Sequence, residues 1–265
     1  MKIIAIMNVK GGVGKTMTAC NMAHILADTY KQRVLLIDAD PQANATTFFD
    51  REAVDGGLTE LLQGSVSCYE DIIQKTEYDN VHLIGYDSSL FMVDLETSGV
   101  LGQSGEMFHP RNAIVSLCTA LKADDSYDVV LIDCPPSFTV SAIAALAAAD
   151  SVIVPVKLDA FSVDGMEFLL DQLATVHRIN GNARLEGVLV TLWHNCVCNV
   201  QAEAELRRRG IRIFETRIRR SDKADESTWY RSPICCYSRC SSTARDYRDF
   251  VAEFVKEGGL KDGKV

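Results

Sequence analysis

The sequence predicts an α/β fold: a doubly wound, mostly parallel sheet with helices on both faces. Three observations predict it. Short apolar runs recur at 3–7, 34–37, 81–84, 129–132, 152–156 and 187–192, continuous rather than alternating, as strands buried on both faces require. Helix-period stretches fill the gaps at 15–28, 111–122, 140–149, 164–178, 200–209 and 244–256. A glycine-rich turn separates the first apolar run from the first helical stretch, so the chain opens as a strand–turn–helix unit.

That opening unit carries the first chemistry. Ile3-Ile4-Ala5-Ile6-Met7 runs into Asn8-Val9-Lys10, then Gly11-Gly12-Val13-Gly14, then Lys15-Thr16-Met17 at the head of the helix. In such a turn successive backbone N–H groups point inward, and the helix dipole favours negative charge, so the unit is a phosphate cradle. Lys15 is placed to reach the β- and γ-phosphates and the Thr16 hydroxyl to ligate Mg²⁺, which makes ATP and Mg²⁺ the expected cofactors. The usual spacing puts a glycine six positions before the lysine. Here that position is Val9, and a second lysine, Lys10, stands at the mouth of the turn instead.

The second run, Val34-Leu35-Leu36-Ile37, ends in Asp38-Ala39-Asp40-Pro41-Gln42. Residues i and i+2 of an extended chain point the same way, so Asp38 and Asp40 face one side together. The region 50–105 is less regular and rich in glycine, and reads as an insertion over the edge that holds the site. The fourth run ends Leu131-Ile132-Asp133-Cys134-Pro135, a buried strand closing on one carboxylate. Parallel sheets bind ligands at the carboxyl ends of their strands, which is where the phosphate cradle and these aspartates fall. A last short apolar run at 211–214 is expected to add a strand.

Composition bounds the rest. At 265 residues, with 47% hydrophobic and 24% charged residues, the chain suits one α/β domain spanning 1–265. No stretch of about 18 uncharged apolar residues marks a membrane span. No cationic, small-residue leader precedes the first strand, so a cytoplasmic location is expected. Nine cysteines, an odd number without repeated C-x-x-C pairs, are expected to be free thiols. The glycine turn begins within ten residues of the start, so no separate DNA-reading helix-turn-helix module is expected ahead of it.

Three segments together carry a family resemblance. Lys10-Gly11-Gly12-Val13-Gly14-Lys15-Thr16 resembles the deviant Walker A box of the ParA/MinD superfamily of ATPases. Residues 34–44 and 128–137 resemble its second and third motifs, and 149–157 is similar to the strand that follows. The likeness runs from residue 1 to about 192 and more loosely to the end. The resemblance implies a nucleotide site of Lys10, Gly11, Gly12, Val13, Gly14, Lys15, Thr16 and Met17. It implies Mg²⁺ held by Thr16 directly and by Asp38 and Asp133 through waters. Lys10, Lys15 and Asp40 are the implied catalytic residues, Asp40 positioning the attacking water. Lys10 crosses into the partner of an ATP-sandwiched homodimer, where it acts like an arginine finger supplied in trans. It also implies non-specific DNA binding, a ParB-like stimulating protein, and a place on the nucleoid.

The net charge of −9 disfavours DNA as a partner of the whole body, but its distribution does not. Residues 206–223 carry eight cations against Glu215 and Asp222, a net +6 in 18 residues. Arg208, Arg219, Arg220 and Lys223 are the candidate DNA contacts on this expected basic face. The MinD branch reaches a membrane instead, through a cationic amphipathic C-terminal helix. The tail 250–265 has two adjacent glycines and nearly balanced charge, so it does not read as such an anchor. The chain departs from the family pattern in three places: Met17 for threonine, Cys196 where an arginine is usual, and Arg219 where a proline precedes Arg220.

Overall fold

The computed structural model describes residues 1–49, 57–85, 110–158, 171–172 and 174–260. Within them lies a seven-stranded sheet of order β3-β4-β2-β5-β1-β6-β7. The strands are β1 Lys2–Ile6, β2 Val34–Asp38, β3 Gln74–Lys75, β4 Val81–Ile84, β5 Val129–Asp133, β6 Ser151–Lys157 and β7 Arg184–Thr191. All neighbours pair in parallel except β3, which runs antiparallel to β4 at the edge. The helices, numbered along the described chain, are α1 Lys15–Asp28, α2 Asn44–Phe48, α3 Gly57–Gln63, α4 Ala113–Ala123 and α5 Val140–Ala148. They continue with α6 Val197–Arg208, α7 Asp222–Trp229, α8 Ile234–Tyr237 and α9 Ser242–Phe254.

The continuous apolar runs are explained by burial. Every residue of β2 and β5 is buried, so neither strand has a solvent face and each is apolar up to its terminal aspartate. The strand period of two divides the core into layers. Ile3, Ala5, Leu35 and Ile37 pack with Leu61 of α3, Leu117 of α4 and Ala145 of α5 on one face. Ile4, Ile6 and Leu36 pack on the other with Met22 and Leu26 of α1 and Phe250 and Phe254 of α9.

One sequence expectation is corrected. The run at 211–214 makes no strand; it touches the sheet through one parallel bridge, Val188 to Ile213, and one beside it, Trp193 to Arg219. The Phe214 ring instead packs against Gly187, where a Cβ would lie 2.9 Å from the ring, and meets Phe250 edge-on at 5.0 Å. The reading missed α2, α3, α7 and α8, which are short or mostly polar. Much of the helix expected at 164–178 lies outside the described residues, as does much of the irregular 50–105 region; 174–179 is helical. All nine cysteines are free thiols. Among the described residues no helix is long and apolar enough to cross a membrane.

Candidate nucleotide-binding site

The turn between β1 and α1 is shaped by two glycines in the left-handed region, Gly12 at φ 69° and Gly14 at φ 84°. A Cβ on Gly11 or Gly12 would meet nothing within 4 Å, so open room lies over the loop. Gly14 caps α1 with no side-chain hydrogen bond, and the first turn of α1 holds no acid. Its leading N–H groups are therefore left for an external anion, at the positive end of the helix dipole. The loop is pinned from two strands and one helical residue. Thr191 Oγ1 at the end of β7 donates to the Val13 carbonyl at 2.7 Å. Asn8 donates from Nδ2 to the Pro155 carbonyl and accepts from the Lys10 N–H at Oδ1, both at 2.8 Å. The Val9 N–H donates to Gln172 Oε1 at 3.2 Å.

Sheet register brings the aspartates to the loop. Asp133 pairs in register with Ile6 on β1 and with Asp38 on β2, so two carboxylates sit side by side at adjacent strand ends. Both are fully buried. Thr16 Oγ1 donates to Asp133 Oδ2 at 2.6 Å, while Asp133 Oδ1 is buried with no partner among the described residues. Burial and the neighbouring Asp38 charge push the Asp133 carboxyl well above the usual range. Burial likewise pushes Asp38 up to about 6, against the hydrogen bonds it accepts from the Thr46 N–H, the Thr46 hydroxyl and the Asp40 N–H. Asp40 is 6% exposed and its Oδ1 accepts from the Gln42 N–H at 3.0 Å. Lys15 is buried, its Nζ donating to the Lys10 carbonyl at 3.4 Å. Burial lowers its ammonium below the usual lysine range, with Asp133 and Asp40 acting in the other direction.

This donor set fits a hard divalent cation beside a polyphosphate: a hydroxyl, two buried carboxylates pressed towards neutrality, and one carboxylate oxygen without a partner. Of the expected nucleotide and metal residues, Lys15, Thr16, Asp38, Asp40 and Asp133 converge here. Lys10 is exposed at the mouth of the loop and Met17 follows on the first turn of α1. Beyond Thr16 and Met17 opens a cleft of about 210 Å³ lined also by Asn44, Thr47, Phe48, Thr228 and Arg231. Sequence reasoning missed Thr46, which holds Asp38, and Thr191, Asn8 and Gln172, which hold the loop. Thr46 stands eight residues past Asp38 on a five-residue helix too short to give a period.

The expected basic face forms differently. Seven of the eight cations in 206–223 are neutralised by carboxylates, most of them outside that window. Arg207 pairs with Glu203 and Glu215, Arg208 and Arg209 with Glu205, Arg212 with Glu257, and Arg217 with Glu203. Arg219 grips Asp246 at 2.5 Å, and Lys223 meets Glu226 at 2.5 Å. Arg220 is exposed and makes no side-chain hydrogen bond or ion pair among the described residues. The net +6 is thus a property of the window, not of the surface. Helical i, i+3 and i, i+4 spacing brings the acids of α6 back onto its own arginines.

A family model described as an AAA domain matches residues 1–186. The chain is 33% identical to the chromosome partitioning protein ParA of Caulobacter vibrioides, over 100% of this chain and 98% of that one. It is 36% identical to the chromosome-partitioning ATPase Soj of Thermus thermophilus, over 95% of this chain and 94% of the other. Among solved structures, cobyrinic acid a,c-diamide synthase of Mycobacterium smegmatis with bound ADP and magnesium superposes at a TM-score of 0.77. It is 25% identical, over 100% of this chain and 98% of that one.

Proposed function

The chain belongs to the ParA/Soj family of P-loop ATPases, and on that premise we propose that it is a Mg²⁺-dependent ATPase partitioning or positioning plasmid or chromosome DNA. In this reading it dimerises on ATP, binds DNA without sequence preference, and turns over slowly until a ParB-like protein stimulates it. The observation that carries the proposal is the Thr16–Asp133–Asp38 constellation on the phosphate cradle, with its one unpartnered carboxylate oxygen.

The residues divide the work. The N–H groups of 11–16 and the Lys15 ammonium bind the phosphates. Thr16, Asp133 and Asp38 would hold Mg²⁺, which when bound neutralises charge on the phosphate oxygens. Asp40, held by the Gln42 N–H, orients the attacking water in line. Lys10, exposed at the loop mouth, is supplied to the nucleotide of the other subunit, where transition-state charge builds up. Arg220 is the bare cation for the DNA backbone. Arg208 and Lys223, in exposed pairs weak enough to exchange, contribute only as far as phosphate displaces their carboxylates, and Arg219 contributes least, because its partner Asp246 is buried.

The test is sedimentation and turnover with ATP and a non-hydrolysable analogue. Lys10→Ala is expected to bind nucleotide but remain monomeric, Asp40→Ala to dimerise without turning over, and Lys15→Ala to bind no nucleotide. A Lys10→Ala protein that self-associates and hydrolyses ATP like the parent overturns the reading.

A further inference from the structure

A thiol and an imidazole meet on the flank of α1, about two turns beyond the phosphate loop. Cys236, exposed on the short helix α8, places its Sγ 3.1 Å from His24 Nε2. Among the described residues no other cysteine sulfur meets a histidine nitrogen. The position of α8 is fixed by the Ile234 N–H, which donates to Asn21 Oδ1 at 2.8 Å. His24 is 7% exposed, lies edge-on to Tyr78 at 5.1 Å, and has its Nδ1 buried with no partner among the described residues. Burial lowers His24 below the usual histidine range, with Asp28, one turn further along α1, acting in the other direction. Burial pushes the Cys236 thiol up, and Cys235, Asp28 and Glu77 add to it. Both groups are therefore neutral at rest, the thiol donating to Nε2 and the ring hydrogen sitting on Nδ1. The adjacent thiol points elsewhere: Cys235 Sγ donates to the Ala244 carbonyl and accepts from Arg248, both at 3.7 Å. A packing contact alone would not need an imidazole whose second nitrogen is buried without a partner there.

Beside the pair opens a cleft of about 270 Å³, lined by His24, Asp28, Lys31, Glu77, Tyr78 and Asp79. Its volume admits a small molecule, and three carboxylates against one ammonium favour a positively charged one. A base within hydrogen-bond reach makes a thiol nucleophilic without a standing thiolate. We propose that Cys236, with His24 as its base, is a thiol–disulfide exchange site that takes up one half of a small cationic disulfide as a covalent adduct. In the step the Cys236 Sγ–H bond breaks and its proton passes to His24 Nε2, while Sγ bonds to the nearer sulfur of the disulfide. The old S–S bond breaks, and the departing thiolate takes the proton back from His24. One protein thiol is thereby oxidised, one half of the small disulfide is reduced to a thiol, and the neutral imidazole is restored. Asp28 steadies the transient imidazolium. The proposal concerns this pair and stands whether or not the chain hydrolyses ATP.

The full-length protein is treated with cystamine, hydroxyethyl disulfide or dithiodipropionate, which are cationic, neutral and anionic, and the adduct at each cysteine is followed by peptide mass spectrometry. Cys240, exposed on the same chain, is the internal reference. Cys236 is expected to react with cystamine about tenfold faster than Cys240 does, and most slowly with dithiodipropionate. Its rate should level off near neutral pH, once His24 is unprotonated, where a free thiol such as N-acetylcysteine still gains about tenfold per pH unit. His24→Gln should slow Cys236 relative to Cys240 by on the order of 100-fold. Asp28→Asn with Glu77→Gln, both exposed, should narrow the gap between cystamine and dithiodipropionate at Cys236 by about threefold. The proposal is overturned if Cys236 reacts no faster than Cys240, or if His24→Gln leaves their ratio unchanged while circular dichroism reports a native fold. It is also overturned if dithiodipropionate reacts fastest at Cys236, or if a Cys235–Cys236 disulfide forms in place of the adduct. Should His24→Gln fail to fold, the pH profile and the charge variant decide.

Discussion

Replacing Asp38 by asparagine tests the electrostatics of the site without any ligand. Asp38 is fully buried, and burial raises its pKa from 3.8 to about 6. For an acid shifted upwards the folded state keeps a proton that the unfolded chain has already released. Stability from this group is therefore greatest below the unfolded value, falls as pH rises from 3.8 to about 6, and stays low above that. A rise from 3.8 to about 6, at about 1.4 kcal/mol for each tenfold change in proton affinity, corresponds to a loss on the order of 3 kcal/mol. Asp133 is raised by the same burial and by the Asp38 charge, so the two protons belong to the pair, and removing Asp38 relieves Asp133 in the same direction. Carboxylates held low by arginine or lysine, such as Asp128 and Glu186, slope the other way in parent and variant alike and cancel in the difference. Urea unfolding of both proteins, nucleotide-free with chelator, is measured across this range and up to neutral pH. The stability of Asp38→Asn relative to the parent is expected to rise by about 3 kcal/mol from the acidic to the neutral end. A difference that does not move with pH refutes the assignment of a strained, uncompensated carboxylate to this position.

Two further outcomes follow from the contacts. Thr46→Val removes the hydroxyl that reaches Asp38 at 2.7 Å, and is expected to cost about 1–3 kcal/mol in urea unfolding at neutral pH, shrinking once Asp38 is protonated. Arg220→Ala is expected to weaken binding to random duplex uniformly and to reduce the salt slope by about 1, whereas Arg208→Ala, already paired with Glu205, changes it less; equal effects would show that the ion pairs do not govern DNA access.

The sheet was legible because its strands are buried on both faces and write that fact as unbroken apolar runs. β2 and β5, entirely buried, were read to within one residue. The run at 211–214 has the same composition, yet lies beside the sheet, because Phe214 fills the space over Gly187 instead of extending the ladder. At the site, Lys15, Thr16, Asp38, Asp40 and Asp133 were legible from motif spacing, since each stands at a fixed offset from a strand end. Thr46 and Thr191 were not, because their roles come from tertiary contacts to Asp38 and Val13 that no local spacing encodes. The basic segment misled for the same reason: Asp246 and Glu257 are 27 and 45 residues from the arginines they neutralise.

The two parts of the site are held differently, and that bears on how a nucleotide acts on the fold. The loop is held in shape from outside: Thr191, Asn8 and Gln172 fix the Val13 carbonyl and the Lys10 and Val9 N–H groups, so phosphate meets the free leading N–H groups of α1 in a cradle already formed. The carboxylates are not complete. Asp38 leans on Thr46 and the Asp40 N–H, Asp133 has one oxygen bonded and one without a partner among the described residues, and the sole buried ammonium nearby among them, Lys15, is itself depressed by burial. A cation arriving with the phosphates binds the folded chain and relieves a repulsion that the unfolded chain never had. Nucleotide with its metal should therefore stabilise the fold by more at neutral pH, where both carboxylates are pressed to ionise, than at acid pH, where protons already do the same work.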